Sequence, residues 1–190
     1  MMKAKILLLA SLCLTACGIL PSQQAARPAA VVKGGQTGRM PDFSGSRAGA
    51  DHMPLVWAAE QQASGKVKGL LTQARVMALM RKEIVRGSCW DYLDTLYNRA
   101  GVPRHARKTV HRGSFAYGPF ADPSRLQVGD WIYHVNHNYR NNEHSGMFIG
   151  WVDKERRLGL TLSYAGEGRK DPARYKVYDL SSVYNIMRAE

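Results

Sequence analysis

The chain has 190 residues, 45% of them hydrophobic and 22% charged, with a formal charge of +12 and three cysteines. It is long enough for one ordinary domain with its own core, and too poor in cysteine for a disulfide-stapled scaffold. The positive excess favours anionic partners, but no nucleic-acid-binding motif accompanies it, no internal repeat is present, and no apolar run is long enough to span a bilayer.

The first seventeen residues read MMKAKILLLASLCLTAC. Lys3 and Lys5 precede an apolar run from Ile6 to Leu14, the layout of an export signal. Leu14-Thr15-Ala16-Cys17 resembles the L-x-A-C pattern of bacterial lipoprotein signals. The resemblance implies removal of residues 1–16 and a diacylglycerol on the Cys17 sulfur, a durable membrane anchor once two or more acyl chains are attached. An ordinary signal peptide with an incidental cysteine is the alternative. Gly18 is unlike an inner-membrane retention signal, so the expected location is the cell envelope, at the outer membrane facing the periplasm. Nucleic acid is not an expected partner there. Losing Lys3 and Lys5 leaves the processed chain at +10, which suits acidic lipid headgroups or an acidic cell-wall polymer.

Residues 17–55 are rich in Pro, Gly, Ser, Ala and Gln, with few large apolar side chains, and read as a lipidated tether. Residues 56–190 form the expected domain. From Lys66 to about Val85, Leu70, Ala74, Met77 and then Met80 or Arg81 fall at helical spacing. Met77 and Met80 are expected in the core. Gly87 breaks that pattern and Ser88 is a good N-cap, with Asp91 at capping-box spacing. Leu93, Leu96, Tyr97 and Ala100 form one face, and Gly101 and Pro103 end the element. The spacing predicts a helix over Ser88 to Ala100, with Cys89 in its first turn.

Residues 104–124 read as irregular, with Gly113, Gly118, Pro119 and Pro123. Strands are then predicted at DWIYHV, HSGMFIGWV (144–152), LGLTLSYA (158–165) and Arg174 to Tyr178, with a turn at Asp153-Lys154-Glu155-Arg156. His134 and His137 lie in or next to HVNHNYRNNEH, which is polar enough for a solvated loop. A helical front half followed by an antiparallel meander is an α+β arrangement.

With Cys13 removed and Cys17 lipidated, Cys89 is the one thiol left. A leftover cysteine in an exported chain reads as a reactive thiol or an intermolecular pair, or else as an inert buried residue. The first turn of a helix favours a thiolate, although Asp91 opposes it locally. A thiolate nucleophile needs a nearby base, and His144 is the best placed of the domain's histidines. It opens a strand and is followed by the small pair Ser145-Gly146. A zinc site from Cys89, His134, His137 and His144 has no defensible ligand spacing, so neither metal nor cofactor is expected.

GSCWDYLDTLYNRAGVPR, LQVGDWIYH and HSGMFIGWV, taken in order, resemble the landmarks of the NlpC-type cell-wall peptidases, compact papain-like cysteine hydrolases. The likeness covers about residues 80–165 and implies a nucleophile helix packed on an antiparallel meander. It makes Cys89 the nucleophile, Leu126-Gln127-Val128-Gly129-Asp130 the turn before a strand, and His144 the base. Papain has a similar G-S-C-W stretch, but a histidine about 130–150 residues beyond it does not fit this chain. The family's third polar residue lies on the next strand, matched here by Ser163, with Thr161 on the same face as the alternative. Asp130 reads as a turn residue, and the Cys89 backbone N–H as one oxyanion donor.

Where the family has Asp-Cys-Ser, this chain has Ser88-Cys89-Trp90. Trp90, beside the nucleophile, and Tyr117 of SFAYGPF are expected to line the substrate cleft. The resemblance implies amide hydrolysis in peptidoglycan stem peptides by a Cys–His mechanism. A papain-like lipoprotein that binds without turnover is the second reading, and acyl transfer or lipid hydrolysis on the same fold is a third.

Overall fold

The computed structural model describes residues 52–190. The signal peptide, Cys17 and the tether as far as residue 51 lie outside the described residues. Three α-helices come first: α1 (Met53–Gln62), α2 (Gly65–Arg75) and α3 (Cys89–Arg99). Six strands follow: β1 (Arg107–Arg112), β2 (Trp131–Asn136), β3 (Asn142–Asp153), β4 (Leu158–Ser163), β5 (Arg174–Asp179) and β6 (Val183–Ala189). They form one sheet in the order β1-β6-β2-β3-β4-β5, with antiparallel pairing throughout. The fold is α+β, as the helical front half followed by an antiparallel meander predicts.

α1 starts at Met53, three residues ahead of the boundary read from composition, with Pro54 in its first turn. α2 does not continue to Val85. It passes into a π-helical turn, Val76–Met80, closed by the Arg81 N–H donating to the Val76 carbonyl. The wider turn carries later residues off the core stripe. Leu70, Ala74 and Met77 are fully buried, whereas Met80 is 67% exposed, so the expectation that both methionines fill the core holds for Met77 alone.

α3 is built by local chemistry. The Ser88 hydroxyl accepts the Trp90 N–H at 3.2 Å, and the Ser88 N–H donates to Asp91 Oδ2 at 2.7 Å, which makes a capping box with aspartate in the usual glutamate place. At the other end the Val102 N–H reaches the Tyr97 carbonyl and the Gly101 N–H the Asn98 carbonyl, with Gly101 at φ +76°. That is the Schellman closure a glycine permits. Leu93, Leu96 and Tyr97 point into the core, each no more than 2% exposed.

The sheet separates two apolar clusters. On the helix-covered face Leu70, Met77, Leu93 and Leu96 pack on Trp131, Met147, Ile149, Leu160 and Leu162. On the other face Ile132, Phe148, Tyr178, Leu180 and Ile186 gather. Each fully buried aliphatic side chain contributes about 1.5–3 kcal/mol, so the larger cluster holds α3 firmly to β3. Two of the six strands have no counterpart in the sequence reading. β1 lies in the stretch expected to be irregular, and β6 forms beyond the last predicted strand, hydrogen-bonded to both β1 and β2.

The LQVGD turn is a structural joint. The Tyr97 hydroxyl donates to the Gly129 carbonyl at 2.6 Å, which ties α3 to the start of β2. Asp130 is fully buried, pairs with the Arg188 guanidinium at 2.7 and 2.8 Å, and accepts the Gln127 N–H. Burial pushes the Asp130 carboxyl above its ordinary range, while the bonds from Arg188 and Gln127 oppose that rise. The residue read as a turn former is therefore also the anchor of β6.

Candidate active site

Cys89 sits in the first turn of α3, partly exposed, with Ser88 capping the helix beneath it. Its position is fixed from behind by the loop that leaves β4. The Tyr164 hydroxyl donates to the Val85 carbonyl at 2.7 Å, and the Glu167 N–H donates to the Gly87 carbonyl at 2.9 Å. Tyr164 also stacks on Tyr92 of α3 at 4.7 Å. Gly87 adopts φ +104°, and a Cβ there would fall 2.4 Å from Asp91 Oδ2, so only glycine lets the capping box close.

His144 lies near the start of β3, directly opposite His134 on β2. Its Nε2 is 2.8 Å from Ser163 Oγ at the end of β4, and Ser163 Oγ is 2.8 Å from the Tyr178 hydroxyl on β5. Strand parity explains the first contact. Ser163 pairs with Gly146, so the two residues share a face with His144. Thr161 is on that face too, but its hydroxyl turns to the Lys176 carbonyl at 3.4 Å. Ser163 rather than Thr161 is the neighbour of the imidazole.

One cleft of about 450 Å³ takes in Cys89, His144 and Ser163 together. Asn136, Tyr139, Asn142 and Glu143 line it from the β2–β3 hairpin, and Arg169, Asp171, Arg174 and Lys176 from the β4–β5 side. Among the described residues that line it, none is Leu, Ile, Val, Met or Phe. Cys89 makes no side-chain hydrogen bond among the described residues, to His144 or to any other group. His144 makes none through Nδ1, since its one side-chain bond uses Nε2.

The two histidines differ from the sequence reading in one respect. His134, read at the junction of the DWIYHV strand and a solvated loop, is fully buried in β2 and has no hydrogen-bond partner for its Nε2 among the described residues. Its ring meets those of His144 at 5.6 Å and Tyr178 at 5.0 Å, edge-on. The polar residues after it misled the composition argument, because burial here comes from strands distant in sequence. His137 does lie in the hairpin, bonded to Asn141 and Ser182.

Burial lowers the His134 pKa to about 3, helped by the charge of His144. Burial also lowers that of His144, to about 4, helped by the Lys176 cation. Both imidazoles are thus neutral near neutral pH, the form in which a ring nitrogen accepts a proton.

The two residues expected at the substrate cleft lie elsewhere. Trp90 packs at 5.7 Å on Trp131, with the Arg104 guanidinium 4.9 Å from its ring, and is not among the cleft-lining residues. Tyr117 is 92% exposed at the tip of a small hairpin closed by Ser114 and Gly118, also outside the cleft. Conversely, the sequence marks Tyr178 only as the last residue of the final predicted strand. Among the described residues no group of three or more His, Cys, Asp or Glu side chains is arranged to hold a metal ion.

No family model matches the chain, and no curated protein does. A solved structure similar to it is that of a wild-type endolysin, LysIME-EF1, at 13% identity and a TM-score of 0.45. The alignment covers 66% of this chain and 65% of that one, so the chain spans less than two thirds of the endolysin's length.

Proposed function

We propose that the chain is a cysteine hydrolase that cuts amide bonds in peptidoglycan stem peptides, held in the cell envelope by a lipid on Cys17. The observation that carries this reading is one polar cleft joining a thiol at a capped helix start to a neutral, serine-bonded imidazole. The cleft's walls add the substrate class. Carboxylates from Glu143 and Asp171 face the same space as Arg169, Arg174 and Lys176, which suits a short peptide bearing both amine and carboxylate groups. An acyl chain would find no aliphatic wall there, which counts against lipid hydrolysis.

In this mechanism His144 Nδ1 takes the Cys89 proton as the sulfur attacks the carbonyl carbon. The Cys89 N–H, at the helix start, donates to the oxyanion. Collapse of the tetrahedral intermediate breaks the C–N bond, and the imidazolium passes its proton to the leaving amine. Water then adds to the thioester carbonyl, giving one proton to His144, which returns it to the departing sulfur. Because the thiol and ring are not hydrogen-bonded in the free chain, they close on each other when substrate binds. Burial and Lys176 disfavour a standing imidazolium, so His144 serves as a base during attack rather than as half of a resting ion pair.

The second reading, a binding lipoprotein without turnover, draws on that same missing thiol–imidazole bond and on serine in place of a stronger orienting residue. Defined stem-peptide fragments incubated with the purified chain, with products read by mass spectrometry, separate the two. Wild type should release a new amine, and Cys89→Ala and His144→Ala should each lose about 10³-fold or more. Cleavage that survives Cys89→Ala would remove the thiol from the mechanism. Tight binding with no product from wild type would establish the second reading.

A further inference from the structure

Serine alone is a poor orienter of a catalytic imidazole, because its single hydrogen rotates freely. If Ser163 donates to His144 Nε2, the ring hydrogen sits on Nδ1, and that nitrogen has no lone pair for the thiol proton. If Ser163 accepts from Nε2–H instead, Nδ1 is bare and able to act. Whatever fixes the serine hydrogen therefore decides whether His144 is competent.

Tyr178 is placed to do this. Its hydroxyl is 2.8 Å from Ser163 Oγ, on β5, two strands away from His144. Its ring is 5% exposed and is held by contacts with both His134, at 5.0 Å, and His144, at 5.6 Å. Among the described residues His134 Nε2 has no hydrogen-bond partner, so the ring contributes a wall rather than a competing hydrogen bond to the serine. Tyr178 also lines the cleft. In the arrangement proposed below, its oxygen accepts from Ser163 and its own hydrogen turns toward the cleft.

We propose that Tyr178 is a positioning residue: it takes the Ser163 hydrogen, leaves the Ser163 lone pair facing His144 Nε2–H, and so presents a bare Nδ1 to the cleft. The proposal rests on His144 as the base in the hydrolase reading. The orienting element is then a serine–tyrosine unit drawn from two strands, in place of one amide or imidazole side chain.

The test reads the tautomer directly. In the full chain labelled with ¹⁵N-histidine, long-range ¹H–¹⁵N spectra near neutral pH distinguish a protonated ring nitrogen from a bare one. Wild-type His144 should show hydrogen on Nε2. Tyr178→Phe keeps the ring packing but frees the serine hydrogen, and should move the population toward the Nδ1–H form. On a stem peptide, the same variant should lose about tenfold in kcat with KM unchanged, the pattern of lost positioning. Ser163→Ala breaks the same link while leaving Tyr178 in place. If the two residues act as one unit, adding Tyr178→Phe to Ser163→Ala changes neither spectrum nor rate further. A Tyr178→Phe spectrum identical to wild type overturns the proposal, even if the chain proves to be an active hydrolase. A shifted tautomer in a chain inert on all fragments would keep the relay and sink the hydrolase reading instead.

Discussion

Replacing His134 with phenylalanine removes the buried imidazole that packs on cleft-lining His144, while keeping an aromatic ring against His144 and Tyr178. In the folded chain His134 titrates at about 3 and His144 at about 4, against an ordinary value of 6.5. As the pH falls below 6.5 the unfolded chain takes up protons that the folded chain refuses, so stability falls with pH. The contribution is complete above 6.5 and is exhausted once the pH has dropped below the folded values of about 3 and 4. At about pH 5 each histidine costs about 2 kcal/mol relative to about pH 8, from roughly 1.5 pH units at about 1.36 kcal/mol apiece. The two histidines should therefore cost wild type about 4 kcal/mol over that interval, and His134→Phe should lose about 2 kcal/mol less than wild type. Urea unfolding at a series of pH values, with equal m-values checked at each, measures both curves. If the two proteins lose stability in parallel between about pH 8 and about pH 5, His134 is not held neutral by burial and the electrostatic account of the cleft floor is wrong.

Ser88→Ala should cost about 1 kcal/mol in thermal or urea unfolding through the lost cap, and should lower stem-peptide turnover because the same serine fixes the first turn under Cys89. Asp130→Ala should cost about 3 kcal/mol, since it strands the Arg188 guanidinium and the Gln127 N–H, yet leave KM unchanged in the surviving folded fraction. The acid limb of kcat/KM should fall near pH 4, set by His144, and Lys176→Met should move it upward by removing a cation that opposes protonation of the ring. A limb that stays put in Lys176→Met would separate Lys176 from the base.

The parts of the fold written in local chemistry were legible. Ser88, Asp91 and Gly101 specify α3 almost to the residue, because caps act within four residues of where they stand. β2 and β4 announced themselves by alternation, β3 by a β-rich run, and the β3–β4 connection by the Asp153–Arg156 turn. β1 did not, because RKTVHR is a largely exposed edge strand with one apolar side chain, Val110, packed against the second cluster. β6 is specified by its partners rather than its own pattern. The Met80 expectation failed where a π turn broke the helical period that supported it. In the site, Ser163 came forward from the family resemblance, and strand parity left Thr161 on the same face as its alternative. Nothing in the order of residues could bring Tyr178 to Ser163, since that contact depends on how far a phenol reaches across the sheet. His134 was hidden for a related reason, its polar neighbours being properties of a hairpin and its burial a property of β3 and β5.

The loop that follows β4 carries a consequence for variation among such chains. Exposed loops ordinarily absorb insertions, since little depends on their length. Here the Tyr164 hydroxyl and the Glu167 N–H are bonded to the backbone at Val85 and Gly87, immediately ahead of the thiol, while Ser163 sits at the strand end where the loop begins. The spacing between residues 163 and 167 therefore works as a gauge, setting the nucleophile's helix at a fixed distance from the serine that steadies the base. One residue added there would shift both halves of the site out of step, although neither Cys89 nor His144 had changed. Among chains of this design, length should be held more strictly in that segment than in the β2–β3 hairpin, which reaches the same cleft with no hydrogen bond to the helix among the described residues.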